Sequence, residues 1–235
     1  MNNVNGKIVA VTGAFGSLGL VAAQVLAERG ARVALIGRGR APDADTLPSQ
    51  LADAFLLGGV DLGEPAPAQE AIDTIAARHG GLDALVNVAG GFRWETVADG
   101  SVDTWDLMFQ VNVKTALNAS KAAIRHLVAS DAGRIVNISA GAALKAGAGM
   151  GAYSASKAGV ARLTEALAEE LKDKGVTVNA ILPSIIDTRQ NRADMPDADF
   201  SRWVTPVQIG TVIAFLLSED AQAITGALIP VTGRV

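Results

Sequence analysis

The chain contains no cysteine, which removes disulfides, thiolate metal sites and cysteine nucleophiles together. Histidine is nearly as scarce. His79 and His126 stand far apart without ligand spacing and read as polar residues near helix ends, so no metal is expected. There is no run of Lys and Arg, and 20 basic against 24 acidic residues give a formal charge of −4. That leaves no electrostatic case for nucleic acid or an anionic membrane as partner. No apolar stretch approaches the ~20 residues of a membrane helix. The opening Met1-Asn-Asn-Val-Asn-Gly-Lys7 lacks the apolar core of a signal peptide. With 49% apolar and 19% charged residues, the 235-residue chain has the make-up of a soluble globule. The expectation is one cytoplasmic domain, residues 1–235, acting on a small molecule.

What is present is a regular alternation. Residues 7–12 (Lys-Ile-Val-Ala-Val-Thr) form a short apolar run closed by Gly13, the pattern of a buried strand. A glycine-containing turn and a helical stretch come next, in which Leu18, Ala22, Val25 and Leu26 share a face, and Gly30 closes it before a second strand over 32–37. Strand, glycine turn, helix and strand within about 30 residues is the setting in which such a loop binds a dinucleotide. Glycines let the backbone approach a pyrophosphate, and the helix N-terminus stabilises its charge. Further strands are predicted at 54–60, 82–88, 133–139, 176–182 and 227–231. Between them lie a loop and weak helix over 38–53 and a helix opened by Glu64-Pro-Ala-Pro67. One long helix is predicted over 101–130, with Trp105, Phe109, Asn112 and Ala116 on a stripe, and a short helix over 206–217. Apolar strands alternating with helices predict an α/β fold, a parallel sheet covered on both faces.

Tyr153 and Lys157 stand four residues apart, which on a helix places phenol and ammonium on one face. Val160, Leu163, Leu167 and Leu171 continue at helical steps. A cation beside a phenol lowers its pKa and suits it to proton transfer near neutral pH. A surface tyrosine that happens to precede a lysine would give the same local pattern, so the motif gains weight only from its company.

That company resembles the short-chain dehydrogenase/reductase family over essentially the whole chain. Four blocks carry the resemblance: Thr12-Gly13-Ala-Phe-Gly-Ser-Leu-Gly19, Asn87-Val-Ala-Gly90, Asn112 within Val-Asn-Val, and Tyr153-x-x-x-Lys157. It implies a seven-stranded Rossmann sheet in a single domain, a nicotinamide cofactor and a homo-oligomer, tetramer or dimer. It also implies roles. Tyr153 transfers the proton, Lys157 lowers its pKa and holds the nicotinamide ribose, and Asn112 holds a proton-relay water. Gly13, Phe15, Ser17, Leu18 and Gly19 would line the phosphates, and Asp61 and Leu62 the adenine. Asn87, Ala89 and Gly90 would lie beside the cofactor, and Pro183, Ile186 and Thr188 would belong to a segment closing over it.

Three departures matter. Ser17 stands where the family commonly has glycine, and Pro183-Ser184 replaces Pro-Gly. More consequential, the family's catalytic serine lies thirteen residues before the tyrosine, and here that position is Ala140. Ser139 is adjacent, but on a strand its side chain points to the opposite face, so it replaces the missing serine only if the strand has already ended. Dihydropteridine reductases of this family also carry alanine there. They resemble this chain further over residues 142–150, at Val88-Ala-Gly-Gly-Phe92 and over 182–203. A quinonoid pterin is reduced within a conjugated ring, where no isolated carbonyl needs a serine. Phe92, Trp94, Met150 and Trp203, with Ser139, are candidates for the substrate wall, although plain packing would also account for each.

The second strand ends Ile36-Gly37-Arg38-Gly39-Arg40, with no acid before Asp43. A carboxylate there selects NAD and an arginine NADP, so NADP(H) is expected over NAD(H), unless the arginines merely solvate a loop. The expectation is an NADPH-preferring reductase of a conjugated C=N or C=O group, with a quinonoid dihydropteridine as the first candidate. The alternatives are a general carbonyl or 3-oxoacyl reductase and, further off, a non-catalytic dinucleotide-binding scaffold.

Overall fold

The computed structural model describes residues 4–235. Seven parallel strands form one sheet: β1 Ile8–Thr12, β2 Arg32–Ile36, β3 Phe55–Leu57, β4 Ala84–Asn87, β5 Arg134–Ile138, β6 Thr177–Pro183 and β7 Leu228–Val231. Their spatial order is β3-β2-β1-β4-β5-β6-β7. The helices are α1 Ser17–Glu28, α2 Pro65–His79, α3 Val102–Met108, α4 Thr115–Val128, α5 Gly151–Leu171, α6 Arg189–Asp194 and α7 Pro206–Leu217.

The period of two along each strand divides the core. Val9, Val11, Leu35, Val86 and Val136 pack on one side with α1 and α7, through Ala22, Leu26, Ile209 and Ile213. Ala10, Ile36, Leu85, Ile135 and Val178 pack on the other with α2, α4 and α5, through Ile72, Ile75, Leu127 and Leu171. Strands buried on both faces are why the runs read as apolar without alternation. Strand order reverses between β1 and β4, and the crevice beyond their C-terminal ends is where this topology receives a ligand.

The boundaries differ from the sequence expectation in places with physical causes. The third strand is only Phe55–Leu57, because Gly58 and Gly59 (φ +74°) turn the chain back against residues 37–41, where Val60 N–H donates to Gly37 O at 3.1 Å. The weak helix expected before it is two single 3₁₀ turns, Ala44–Thr46 and Ser49–Leu51, separated by Pro48. The long helix is broken by a π turn at Phe109–Lys114. One wider turn rotates the residues after it, so Asn112 and Ala116 are buried while Phe109 is exposed and Trp105 stays accessible. Both histidines do fall at helix ends, His79 beside Arg32 (3.0 Å) and His126 beside Asp73 (2.9 Å). No helix among the described residues is long and apolar enough to cross a membrane.

Candidate active site

The floor of the crevice is built from backbone. Thr12 Oγ1 accepts from the N–H groups of Val88 and Ala89, both at 3.1 Å, tying the end of β1 to the end of β4. Gly13, at φ +62°, approaches so closely that a Cβ there would lie 2.7 Å from the Ala89 backbone. A Cβ at Gly19 would lie 2.4 Å from Gly13 O. The loop is thus pressed onto the first turn of α1. That helix begins at Ser17 and Leu18 with no side-chain cap and no acid in its first turn, so its N–H groups remain available to an anion. Phe15 has a role the sequence did not disclose: its ring lies against Gly37, where a Cβ would come within 2.1 Å of it.

From this floor opens a cleft of about 480 Å³, whose walls include Gly13, Arg38, Asp61, Leu62, Ala89 and Gly90. Arg40 pairs with Asp43 at 3.1 Å, whereas Arg38 forms no hydrogen bond or ion pair among the described residues. Of the two cations at the end of β2, Arg38 is therefore the one without an ion-pair partner among the described residues. Asp61 Oδ1 accepts from Gly63 N–H (2.9 Å), and Asn118 Nδ2 donates to the carbonyls of Leu62 and Gly63, each at 3.0 Å. Asn118 holds this wall, yet nothing in its sequence surroundings marks it. The glycine cradle, the uncapped helix end and the free guanidinium fit a dinucleotide. Phe15, Ser17, Leu18, Gly19, Asn87, Tyr153, Lys157, Pro183, Ile186 and Thr188 lie outside this cleft's lining.

The second half is built from side chains. Asn112, on the π turn, exchanges two bonds with Gly91: its Oδ1 accepts from Gly91 N–H (3.0 Å) and its Nδ2 donates to Gly91 O (3.1 Å). Nδ2 also donates to Ser156 Oγ at 2.9 Å, and Ser156 in turn donates to Tyr153 O at 2.7 Å. A Cβ at Gly90 would lie 2.5 Å from Asn112 Oδ1 and 3.3 Å from Lys157 Nζ, so the β4 end, the π turn and α5 meet at one point. Asn87 Nδ2 donates to Ser120 Oγ (3.0 Å) and Asn137 Oδ1 (2.9 Å), a link across the buried centre of the sheet.

Tyr153 and Lys157 do share a helix face, but the expected mutual effect is absent. Lys157 Nζ donates to Ile138 O at 2.9 Å and lies 6.0 Å from the Tyr153 ring centroid. Burial, not the neighbouring charge, governs both groups. It pushes the phenol up to about 12 and the ammonium down to about 8. The phenol is consequently protonated throughout the neutral range, and the lysine remains mostly charged there.

On the open side, Phe92 meets Tyr153 edge to face, with centroids 4.9 Å apart and planes at 84°. Trp94 lies on Gly149, where a Cβ would come within 2.2 Å of the indole, and Glu95 N–H donates to Gly149 O at 2.8 Å. Met150 immediately precedes α5. Phe92 and Trp94 keep more than half of their surface exposed. Two substrate candidates are corrected. Ser139 is buried and its hydroxyl donates to Lys157 O at 2.7 Å, so it does not stand in for the serine missing at Ala140. Trp203 is buried against Phe200, with ring centroids 4.8 Å apart. Pro183 ends β6, and Ile186 bridges to Val204. Thr188 Oγ1 caps α6 by accepting from Asn191 N–H at 3.2 Å, which folds residues 187–203 into an excursion of their own. Ser184 Oγ donates to Thr232 O at 2.7 Å, giving the departure from Pro-Gly a tie to the chain's last residues.

With this geometry in view, the relationships of the chain are direct. Residues 7–199 match the short chain dehydrogenase family, and the chain belongs to it. It is 32% identical to a 3-oxoacyl-(acyl-carrier-protein) reductase of Vibrio cholerae over 98% of each chain. Among solved structures it is similar to a short chain dehydrogenase from Burkholderia cenocepacia in complex with NADP, at a TM-score of 0.85 and 30% identity over 98% of each chain. It is also similar to a carveol dehydrogenase from Mycobacterium avium in complex with NAD, at a TM-score of 0.84 and 26% identity, covering 99% of this chain and 98% of that one. The protein is an oxidoreductase of the short-chain type, with an NAD(P)-binding Rossmann fold.

Proposed function

We propose that this oxidoreductase prefers NADPH and reduces a flat, conjugated C=N or C=O group, with a quinonoid dihydropteridine as the first candidate. The observation that carries the reading is alanine at position 140, where the family has its catalytic serine. Position 140 offers only a methyl, and the neighbouring Ser139 hydroxyl is held by Lys157 O. A substrate whose developing charge spreads over a ring needs no such donor, whereas an isolated ketone does. Phe92 and Trp94 supply exposed aromatic faces on which a planar ring can stack.

When bound, a reduced nicotinamide supplies the hydride. Tyr153, neutral because it is buried, is the proton donor at the heteroatom. Lys157 holds a positive charge beside Gly90, and Asn112 fixes the backbone at Gly91. Gly13, Ser17, Leu18 and Gly19 hold the phosphates, Asp61 and Leu62 the adenine side, and Arg38 the 2′-phosphate. The same proposal places the chain in the cytoplasm as a homo-oligomer, which light scattering of the purified protein tests. The likeness to a 3-oxoacyl reductase favours a second reading, reduction of an isolated carbonyl. The deciding measurement is NADPH and NADH oxidation with chemically generated quinonoid dihydropterin beside a panel of ketones. Pterin turnover with NADPH preferred supports the first reading; ketone turnover without pterin turnover supports the second.

A further inference from the structure

The geometry points to Arg93 as a second cation for the phosphate charge of the dinucleotide, lining the same cleft as Arg38. This deepens the NADP(H) reading and rests on it. Residues 91–95 are pinned at both ends, Gly91 by its two bonds with Asn112 and Glu95 by its bond to Gly149 O. Between those anchors, the Phe92 ring meets Tyr153 and the Trp94 indole lies on Gly149. Arg93 instead lines the cofactor cleft, in company with Leu107 and Gln110 and in the same cavity as Arg38.

Its guanidinium is uncommitted. Arg93 forms no hydrogen bond or ion pair among the described residues, and the acid closest to it in the chain, Glu95, accepts from Ser101 N–H at 3.2 Å. The only acid in the cleft lining, Asp61, accepts from Gly63 N–H. A long cationic arm on a fixed base thus borders a cavity whose other free cation is Arg38. A dinucleotide brings several negative charges into that space, and guanidinium groups suit phosphate oxygens geometrically.

The test is calorimetric binding of 2′,5′-ADP, 5′-ADP, NADPH and NADH to the full chain and to Arg93→Gln, Arg93→Lys and Arg38→Gln. Arg93→Gln is expected to weaken 2′,5′-ADP by about tenfold or more, the scale of one charge-assisted bond, and Arg93→Lys to keep most of the affinity. A loss confined to 2′,5′-ADP and NADPH assigns Arg93 to the 2′-phosphate, and a loss shared by 5′-ADP and NADH assigns it to the pyrophosphate. Arg93→Gln binding all four nucleotides like the parent, or Arg93→Lys being as weak as Arg93→Gln, overturns the proposal. If the parent chain itself fails to distinguish 2′,5′-ADP from 5′-ADP, the NADP preference falls instead. The 5′-ADP arm then still decides the role of Arg93.

Discussion

The two halves of the crevice are made of different material. The half from β1 through α1 to β2 is a backbone surface, where Gly13 and Gly19 admit contacts that any Cβ would block. The half between β4, the π turn and α5 is a side-chain lattice, in which Asn112, Ser156 and Lys157 each donate to a backbone carbonyl and Asn112 also donates to Ser156. The first is specified by what is left out at a few positions, and the second by burial and hydrogen bonds that must all be present together. Damage should therefore look different in the two: loss of affinity in the first, loss of turnover with affinity kept in the second.

The largest expected effect belongs to the side-chain half. Tyr153→Phe should lower turnover by about 10²–10⁴-fold, the range of a lost proton donor, while calorimetry finds nucleotide binding unchanged. A variant that kept most of its turnover would remove Tyr153 from the mechanism.

Next comes the pH dependence of stability. Lys157 is held at about 8 in the folded chain against an ordinary 10.5, so between these values the unfolded chain binds the extra proton and stability rises with pH. Tyr153 is held at about 12 against 10, so between those values the folded chain keeps the proton and stability falls as pH rises. The lysine contribution is on the order of 3 kcal/mol, and Lys157→Met should flatten the rise in denaturant midpoint above pH 8. Because Tyr153 is the only tyrosine, tyrosinate absorbance reports it alone. Ionisation near pH 10 in the folded protein would show that burial does not govern it.

In the backbone half, Gly19→Ala drives a methyl against Gly13 O and should cost about 1–3 kcal/mol of stability, with nucleotide affinity falling and the kcat of the saturated enzyme largely kept. Equal losses of both would erase the contrast between the halves. The smallest effect is Ala140→Ser, which restores one donor worth about 0.5–1.5 kcal/mol. It should raise kcat/KM for isolated ketones by up to about tenfold and leave a conjugated substrate nearly unchanged.

The difference in material also decides what can be read in the chain beforehand. Gly13, Gly19, Tyr153 and Lys157 announce themselves because short spacings translate directly into local geometry. The π turn does not, since counting apolar residues at helical steps cannot see one wider turn between two good helices. Trp94 and Trp203 look alike in sequence, and only the contact with Gly149 and the burial against Phe200 separate them. For the Tyr153–Lys157 pair, spacing gives the shared helix face but not the electrostatics. The titration of both groups is set by the protein that surrounds them, which a four-residue interval does not contain. Asn118 carries no signal, because the carbonyls it binds lie 55 and 56 residues away, and the Asn112 that Ser156 meets lies 44 residues away.

The π turn at Phe109–Lys114 sets a limit on how this protein can be improved. Removing one residue from it would mend the helix from α3 into α4, a change that ordinarily strengthens a fold. It would also swing everything on one side by about 100°, carrying Asn112 away from Gly91 and releasing the strap that holds Phe92 before Tyr153. The irregularity is therefore fixed from two sides, by the bonds of Asn112 to Gly91 and by the burial of Met108 and Val113 beside it. Chains shortened there should lose stability along with turnover, so the turn has no cheap repair.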